Sequence, residues 1–187
     1  MTVPTDLDRR FREAAAEEGL RDVRYELHDT PVGTLLVGVT ERGLCSISYD
    51  PDRELDRLAR SFGARVLRVP NAADDARRQL DEYFERRRER FELEVDLSAT
   101  AGFARDVLDE LDRVPFGHTT TYGALAAKVG HPRAARAVGT VMNRNPLPIV
   151  LPCHRVVGAT GSLTGYAGGL DRKRLLLALE GSELGLG

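Results

Sequence analysis

From Val23 onward the chain breaks into short runs in which apolar and polar positions alternate. Val23 to Asp29, Thr34 to Thr40 and Leu44 to Tyr49 are separated by turn signals at Pro31-Val32-Gly33 and Glu41-Arg42-Gly43, a pattern that predicts an antiparallel meander. Arg53 to Phe62 predicts a helix, Arg65 to Val69 a strand, and Ala72 to Arg90 a longer helix with Leu80, Tyr83 and Phe84 on one face. Its Arg86-Arg87-Arg88 run fits a solvated helix end. Phe91 to Leu97 alternates apolar with acidic residues as a last strand would. Upstream, residues 6–18 fit a short helix with Leu7 and Phe11 inward and Gly19 as its stop.

The texture changes at Ser98-Ala99-Thr100-Ala101-Gly102, which divides an N-terminal α/β unit (1–97, with residues 1–20 as an extra helical segment) from a mainly helical unit (98–187). Phe103, Val107, Leu108 and Leu111 lie at helical spacing, and Val114-Pro115-Phe116-Gly117 ends that helix. Thr121 is placed to cap a helix from Tyr122 to Val129. Gly130-His131 makes a turn, and Pro132 stands where a first-turn proline is tolerated, before a helix from Arg133 to Met142. Two short helices about a tight turn form a helix-turn-helix pattern. The second helix carries Ala134, Ala135, Ala137 and Gly139. Small residues serve either close helix packing or close approach to a partner, and the interleaved Arg133 and Arg136 favour contact with DNA.

Composition adds bounds. With 187 residues, 42% hydrophobic and 30% charged, the chain has material for one large domain or two small ones without disulfides. Its longest apolar runs, such as Leu175 to Leu179, fall far short of the roughly 20 residues a membrane span needs. The first residues have no apolar signal region, so a cytoplasmic location is expected, with Cys45 and Cys153 as free thiols. Cys45 alternates with Ile47 and Tyr49 on one strand face and is expected to be a buried structural thiol. The net charge of -2 hides an asymmetry. Arg113 to Arg174 holds nine basic residues and one acidic, a net of +8, which leaves -10 elsewhere. A basic unit of this kind is the electrostatic footprint of a phosphate-backbone binder.

The chemistry concentrates at Asn145-Pro146-Leu147-Pro148-Ile149-Val150-Leu151-Pro152-Cys153-His154-Arg155-Val156. An apolar strand is expected to run into a proline-fixed turn that presents a thiol beside an imidazole, with Arg155 adding positive potential. A cysteine is mostly thiol at neutral pH and needs an adjacent base or cations to react. Neighbours in extended chain point apart, so proton transfer between Cys153 and His154 requires a turn or a bridging water. Glu180, at the end of a helix from Arg172 to Leu179, is placed to orient the imidazole. Taken alone, the Cys-His adjacency is weak evidence and favours an inert buried Cys153 with a capping His154, and no second pair has zinc-ligand spacing.

The motifs decide between these readings. Pro152-Cys153-His154-Arg155-Val156, with Asn145-Pro146 and Ala134-Ala135-Arg136-Ala137-Val138-Gly139 before it and Gly165-Tyr166-Ala167-Gly168-Gly169-Leu170 after it, closely resembles the O6-alkylguanine-DNA alkyltransferases. The likeness is specific over residues 98–181 and architectural before them. It implies an α/β (α+β) chain, a small antiparallel sheet with helices followed by a mainly helical part. It also implies a single-turnover suicide transferase, acting as a monomer on double-stranded DNA that contains O6-alkylguanine or O4-alkylthymine, with no cofactor; the N-terminal zinc-binding cysteines and histidines of some relatives are missing here, so no metal is expected.

By the same resemblance, Cys153 is the alkyl acceptor, His154 its water-linked base, Glu180 the orienter and Asn145 the brace of the turn. Tyr122 crowds the phosphate and donates to guanine N3. Arg136 fills the gap left by a flipped base, with Ala134, Ala135 and Arg133 beside it at the minor groove. The carbonyls of Cys153 and Val156 accept from the guanine amino group, while Tyr166, Ala167, Gly168 and Met142 complete the pocket. Departures are Ala167, where some relatives carry serine, and Phe103-Ala104-Arg105-Asp106-Val107-Leu108 in place of a Phe-Gln-x-x-Val-Trp helix. Two further expectations are weighed: a lesion-recognition module without chemistry, against which Cys153 argues, and a cysteine hydrolase, which gives the basic helix-turn-helix no role.

Overall fold

A computed structural model describes residues 22–62 and 65–182. The helix expected over 6–18 lies outside the described residues. The three expected strands form, as β1 (Val23–Thr30), β2 (Gly33–Thr40) and β3 (Gly43–Ser48), paired antiparallel. After helix α1 (Pro51–Phe62), the short strand β4 (Val66–Arg68) joins β1 in parallel, giving the order β3-β2-β1-β4. β2 is buried on both faces, which is why its sequence is an almost continuous apolar run. Leu36 packs with Val23, Cys45 and Leu58 on the α1 side, while Leu35, Val37 and Val39 enter the main core.

Cys45 is buried, but not on the face its spacing predicts. Leu44 pairs with Val39 and Ser46 with Gly38, so Cys45 is the extra residue of a β-bulge. The bulge breaks the alternation: Cys45 lies in the α1 cluster, whereas Ile47 belongs to the main core.

Two other expectations are corrected. The long helix ends early: α2 covers Asp74–Phe84, and Arg86 sits at φ 57°, a left-handed conformation no α-helix continues through. The following arginines are tied down, Arg87 by Glu85 and Arg88 by Glu82, with Arg86 donating to the Ala178 carbonyl. Phe91 to Leu97 runs extended but forms no ladder. It meets the sheet at one point, where Leu44 N donates to Glu94 O and Asp96 N to Leu44 O.

The helical half contains α3 (Phe103–Leu111), β5 (Thr120–Thr121), α4 (Tyr122–Lys128), α5 (Ala135–Asn143), β6 (Val156–Val157) and α6 (Leu170–Leu179), with β5 and β6 paired in parallel. Thr121 caps α4 as expected, its Oγ1 accepting from Ala124 N at 3.1 Å. α5 begins two residues later than the sequence suggests. Pro132 disfavours helical backbone in the residue before it, and residues 131–134 close a turn through Ala134 N to His131 O.

The expected strand before Cys153 is also absent. Pro146 and Pro148 have no N–H to give a ladder, and the segment folds into a compact turn with Ile149 at φ 77°. One buried apolar cluster runs through both halves, from Leu35, Val37 and Leu80 to Val107, Leu125, Val156 and Leu176.

Candidate active site

Cys153 opens a 3-10 turn (Cys153–Arg155) at the seam of the two halves. Asn145 holds the preceding turn from inside: its Oδ1 accepts from Leu147 N at 3.0 Å and its Nδ2 donates to Leu151 O at 2.8 Å. The thiol is buried, and burial pushes its pKa up because the thiolate loses water. Hydrogen bonding from Asn145, the charge of Lys173 and the Tyr166 hydroxyl act in the opposite direction. At rest the sulfur therefore holds its proton, surrounded by groups that favour its anion.

His154 and Glu180 are fully enclosed. His154 Nε2 lies 2.8 Å from Glu180 Oε1, so Nε2 carries the proton and Nδ1 keeps its lone pair. That Nδ1 is buried with no hydrogen-bond partner among the described residues. Burial lowers the imidazole pKa, with Glu180 working against it. Burial also raises the Glu180 carboxyl, but hydrogen bonds from His154 and Arg155 outweigh it and hold the group at about 2. Arg155 turns its guanidinium to Glu180. Its Nε and Nη2 donate to Glu180, both at 2.9 Å, and its Nη1 to Val114 O at 2.5 Å. Tyr83, from the sheet half, donates its hydroxyl to Glu180 at 2.7 Å, and Gly117 N adds a longer contact.

Over the thiol lies the strap that carries Tyr166, Ala167 and Gly168. The Tyr166 hydroxyl is 2.8 Å from that of Tyr49, at the end of β3, with the two rings edge to face. Gly168 is required there: a Cβ would come within 2.6 Å of the Tyr49 ring and 2.8 Å of the Tyr166 ring. Arg172 fastens the strap to the sheet half, donating to Val32 O at 2.6 Å and Gly168 O at 2.9 Å, with its guanidinium 5.0 Å from the Tyr49 ring centre. Lys173 is wholly buried, its Nζ 2.6 Å from Val156 O and 3.0 Å from Thr164 O, and burial lowers its pKa to about 8. The Val156 carbonyl therefore already accepts one hydrogen bond.

Tyr122 leads α4, its hydroxyl 3.4 Å from Thr164 Oγ1, with its ring against Gly139 of α5. Arg133 and Arg136 are exposed around the start of α5, with Ala134 and Ala135 half-buried between them. Met142 is buried on the inner face of α5 and lines a cleft with Cys153, Pro148, Tyr166 and Ala167.

Comparison with known proteins agrees with this arrangement. The family model of the 6-O-methylguanine DNA methyltransferase ribonuclease-like domain matches residues 23–97, and that of its DNA binding domain matches residues 102–182. The chain belongs to the 6-O-methylguanine DNA methyltransferase family. It is 38% identical to the methylated-DNA–protein-cysteine methyltransferase of Methanosarcina acetivorans, over 84% of this chain and 98% of that protein. It is 40% identical to that of Mycolicibacterium paratuberculosis, over 84% and 92%. Among solved structures, Mycobacterium tuberculosis OGT in complex with DNA is similar at TM-score 0.74 and 38% identity, covering 84% of this chain and 92% of that one.

Against the sequence reading, this family member's Cys153, His154, Glu180 and Asn145 meet as one cluster, with Tyr166, Ala167, Gly168 and Met142 around it. Tyr122, Arg133 and Arg136 lie outside that cluster. Lys173, Arg172, Tyr83 and Tyr49 were not foreseen. A signal existed for Lys173: with Leu176, Leu177 and Glu180 it falls at i, i+3, i+4 and i+7, the spacing of one helix face.

Proposed function

We propose that this chain is a methylated-DNA–protein-cysteine methyltransferase, which repairs O6-alkylguanine, and O4-alkylthymine, in duplex DNA by moving the alkyl group irreversibly to Cys153. The observation that carries the reading is the buried sequence Cys153, unpaired His154 Nδ1 and Glu180. A water between thiol and Nδ1 takes the thiol proton to the imidazole, and Glu180 stabilises the imidazolium that forms. The sulfur attacks the alkyl carbon as the C–O6 bond breaks. That electron pair stays on the base, which takes up one proton and remains in the strand as guanine, while the protein keeps a thioether.

A base inside the stack is out of reach, so the nucleotide leaves the helix first. Arg136 fills the space it vacates, with Ala134, Ala135 and Arg133 against the minor groove. Tyr122 turns the phosphate and donates to guanine N3, and the carbonyls of Cys153 and Val156 accept from the amino group. Asn145 braces the turn, and Tyr166, Ala167, Gly168 and Met142 close the pocket. The unit up to residue 97 supports the strap, and the unit from 98 binds DNA. The protein acts as a monomer in the cytoplasm.

Incubating the protein with a duplex carrying labelled O6-methylguanine tests the proposal. One label per chain, found on Cys153 and lost in Cys153→Ala, is expected. Label on Cys45, or catalytic turnover, overturns it, and binding without transfer leaves a lesion-recognition module in its place.

A further inference from the structure

Tyr83 puts a hydroxyl into a box of aromatic rings. It stands one residue before the end of α2, fully buried, with the rings of Phe84, Phe91 and Phe116 centred 5.3, 5.4 and 6.1 Å from its own. A phenylalanine would fill that space equally well, and a buried hydroxyl is unfavourable unless it is bonded. Packing therefore accounts for the ring and leaves the hydroxyl to be explained. Its partner is Glu180 Oε1, at 2.7 Å.

Glu180 is an awkward place for a negative charge. It caps the C-terminal end of α6, where the last helical carbonyls present negative potential. Donors hold the carboxylate instead: Oε1 accepts from His154 Nε2, Arg155 Nη2 and Tyr83 Oη, and Oε2 from Arg155 Nε and Gly117 N. Among these donors only Tyr83 comes from the sheet half, and it meets the same oxygen as the imidazole. A second contact fixes the joint between α2 and α6. Arg86, three residues after Tyr83, donates to Ala178 O at 3.1 Å, two residues before Glu180.

Two donors on one oxygen compete for its charge. While the Tyr83 hydroxyl donates to Oε1, less of that charge is left to draw a proton onto His154. The Tyr83 bond is strongest when the imidazole is neutral, and it weakens once an imidazolium faces the same oxygen. It therefore favours the neutral imidazole, with the Nδ1 lone pair free. Burial, Arg155 and Lys173 also oppose a proton on His154, and Glu180 acts the other way. Tyr83 itself stays a donor: burial and the Glu180 charge push its pKa up, Tyr49 adds to this, and Arg155 opposes it.

We propose that Tyr83 is a positioning residue for alkyl transfer: its hydroxyl, supplied by the sheet half, spreads the Glu180 charge and keeps His154 unprotonated and ready to take the Cys153 proton. This deepens the alkyl-transfer reading and rests on it. Tyr83 acts through Glu180, and the thiol proton still passes through water to Nδ1.

The test is Tyr83→Phe, which keeps the ring and removes the hydroxyl, with Arg86→Gln as a control that loosens the same joint. His154 protonation is read by NMR of histidine-labelled protein. The first-order rate of methyl transfer from duplex O6-methylguanine is read at saturating protein, both between about pH 4.5 and 8. In Tyr83→Phe the His154 titration and the acid limb of the rate are expected to move up together by about half a pH unit, the part of a charge-assisted hydrogen bond that differs between the two states of His154. The rate on the alkaline plateau does not fall. In Arg86→Gln neither the limb nor the titration moves. Placing 3-fluorotyrosine at position 83, a stronger donor of nearly the same size, moves both down, and it serves equally if Tyr83→Phe fails to fold.

A limb and a titration that stay in place in these Tyr83 variants overturn the proposal. So does a plateau that drops in Tyr83→Phe with the limb unmoved, the result of a hydroxyl that only stiffens the fold. Equal movement in Arg86→Gln overturns it as well, by assigning the effect to the joint. Loss of methyl transfer in the wild type is a different result: it overturns the underlying alkyl-transfer reading, while the NMR titration still decides whether Tyr83 governs His154.

Discussion

Glu180 is where charge, burial and proton transfer meet in single side chains, and it gives the fold a measurable dependence on pH. Its folded pKa of about 2 lies below the ordinary 4.5. Between those values the unfolded chain binds more protons, so this contribution is present above pH 4.5 and lost as pH falls toward 2, about 3 kcal/mol in all. Urea unfolding from pH 5 to 2.5 should show a stability loss in the wild type that is shallower by about 2 kcal/mol in Glu180→Gln. Equal slopes would place the low pKa elsewhere. Cys153, His154 and Glu180 were legible because a nucleophile, a base and an orienter are chemically scarce combinations. Lys173 was not, since a lysine in a basic run looks solvated until the fold buries it.

Among the elements, the strap from Tyr166 to Gly168 depends on two rings from different halves of the chain. A methyl group at Gly168 meets aromatic carbons at 2.6 and 2.8 Å, which have no flexible end to yield. Gly168→Ala is expected to cost about 1–3 kcal/mol, lower Tm by about 2–4 °C per kcal/mol, and slow alkyl transfer. Adding Tyr49→Leu should recover part of the stability, and a strictly additive double-mutant cycle would argue against the clash. The meander and the α4–α5 turn could be read from periodicity and caps because those signals are local. The lone bridge at Val95 could not, because its partner Leu44 is distant in sequence, and the bulge at Cys45 and the stop at Phe84 could not, because each turns on the register or dihedral of a single residue, which apolar spacing does not report.

At the scale of the whole molecule, charge is divided between the halves, with +8 from Arg113 to Arg174. Affinity for undamaged duplex should fall steeply with salt, with a slope near -0.9 per phosphate neutralised, read by titration at several salt concentrations. A flat response would remove the basic half as the DNA face. The division in charge is not a division in packing: one apolar cluster spans both halves, and Tyr83–Glu180, Tyr49–Tyr166 and Arg172–Val32 cross between them. The consequence concerns recombination. A chimera joining this sheet half to a relative's helical half is expected to keep a working catalytic cluster only where Tyr83–Glu180 and Tyr49–Tyr166 are both preserved, whereas Arg172 needs from the sheet half no more than the backbone carbonyl of residue 32.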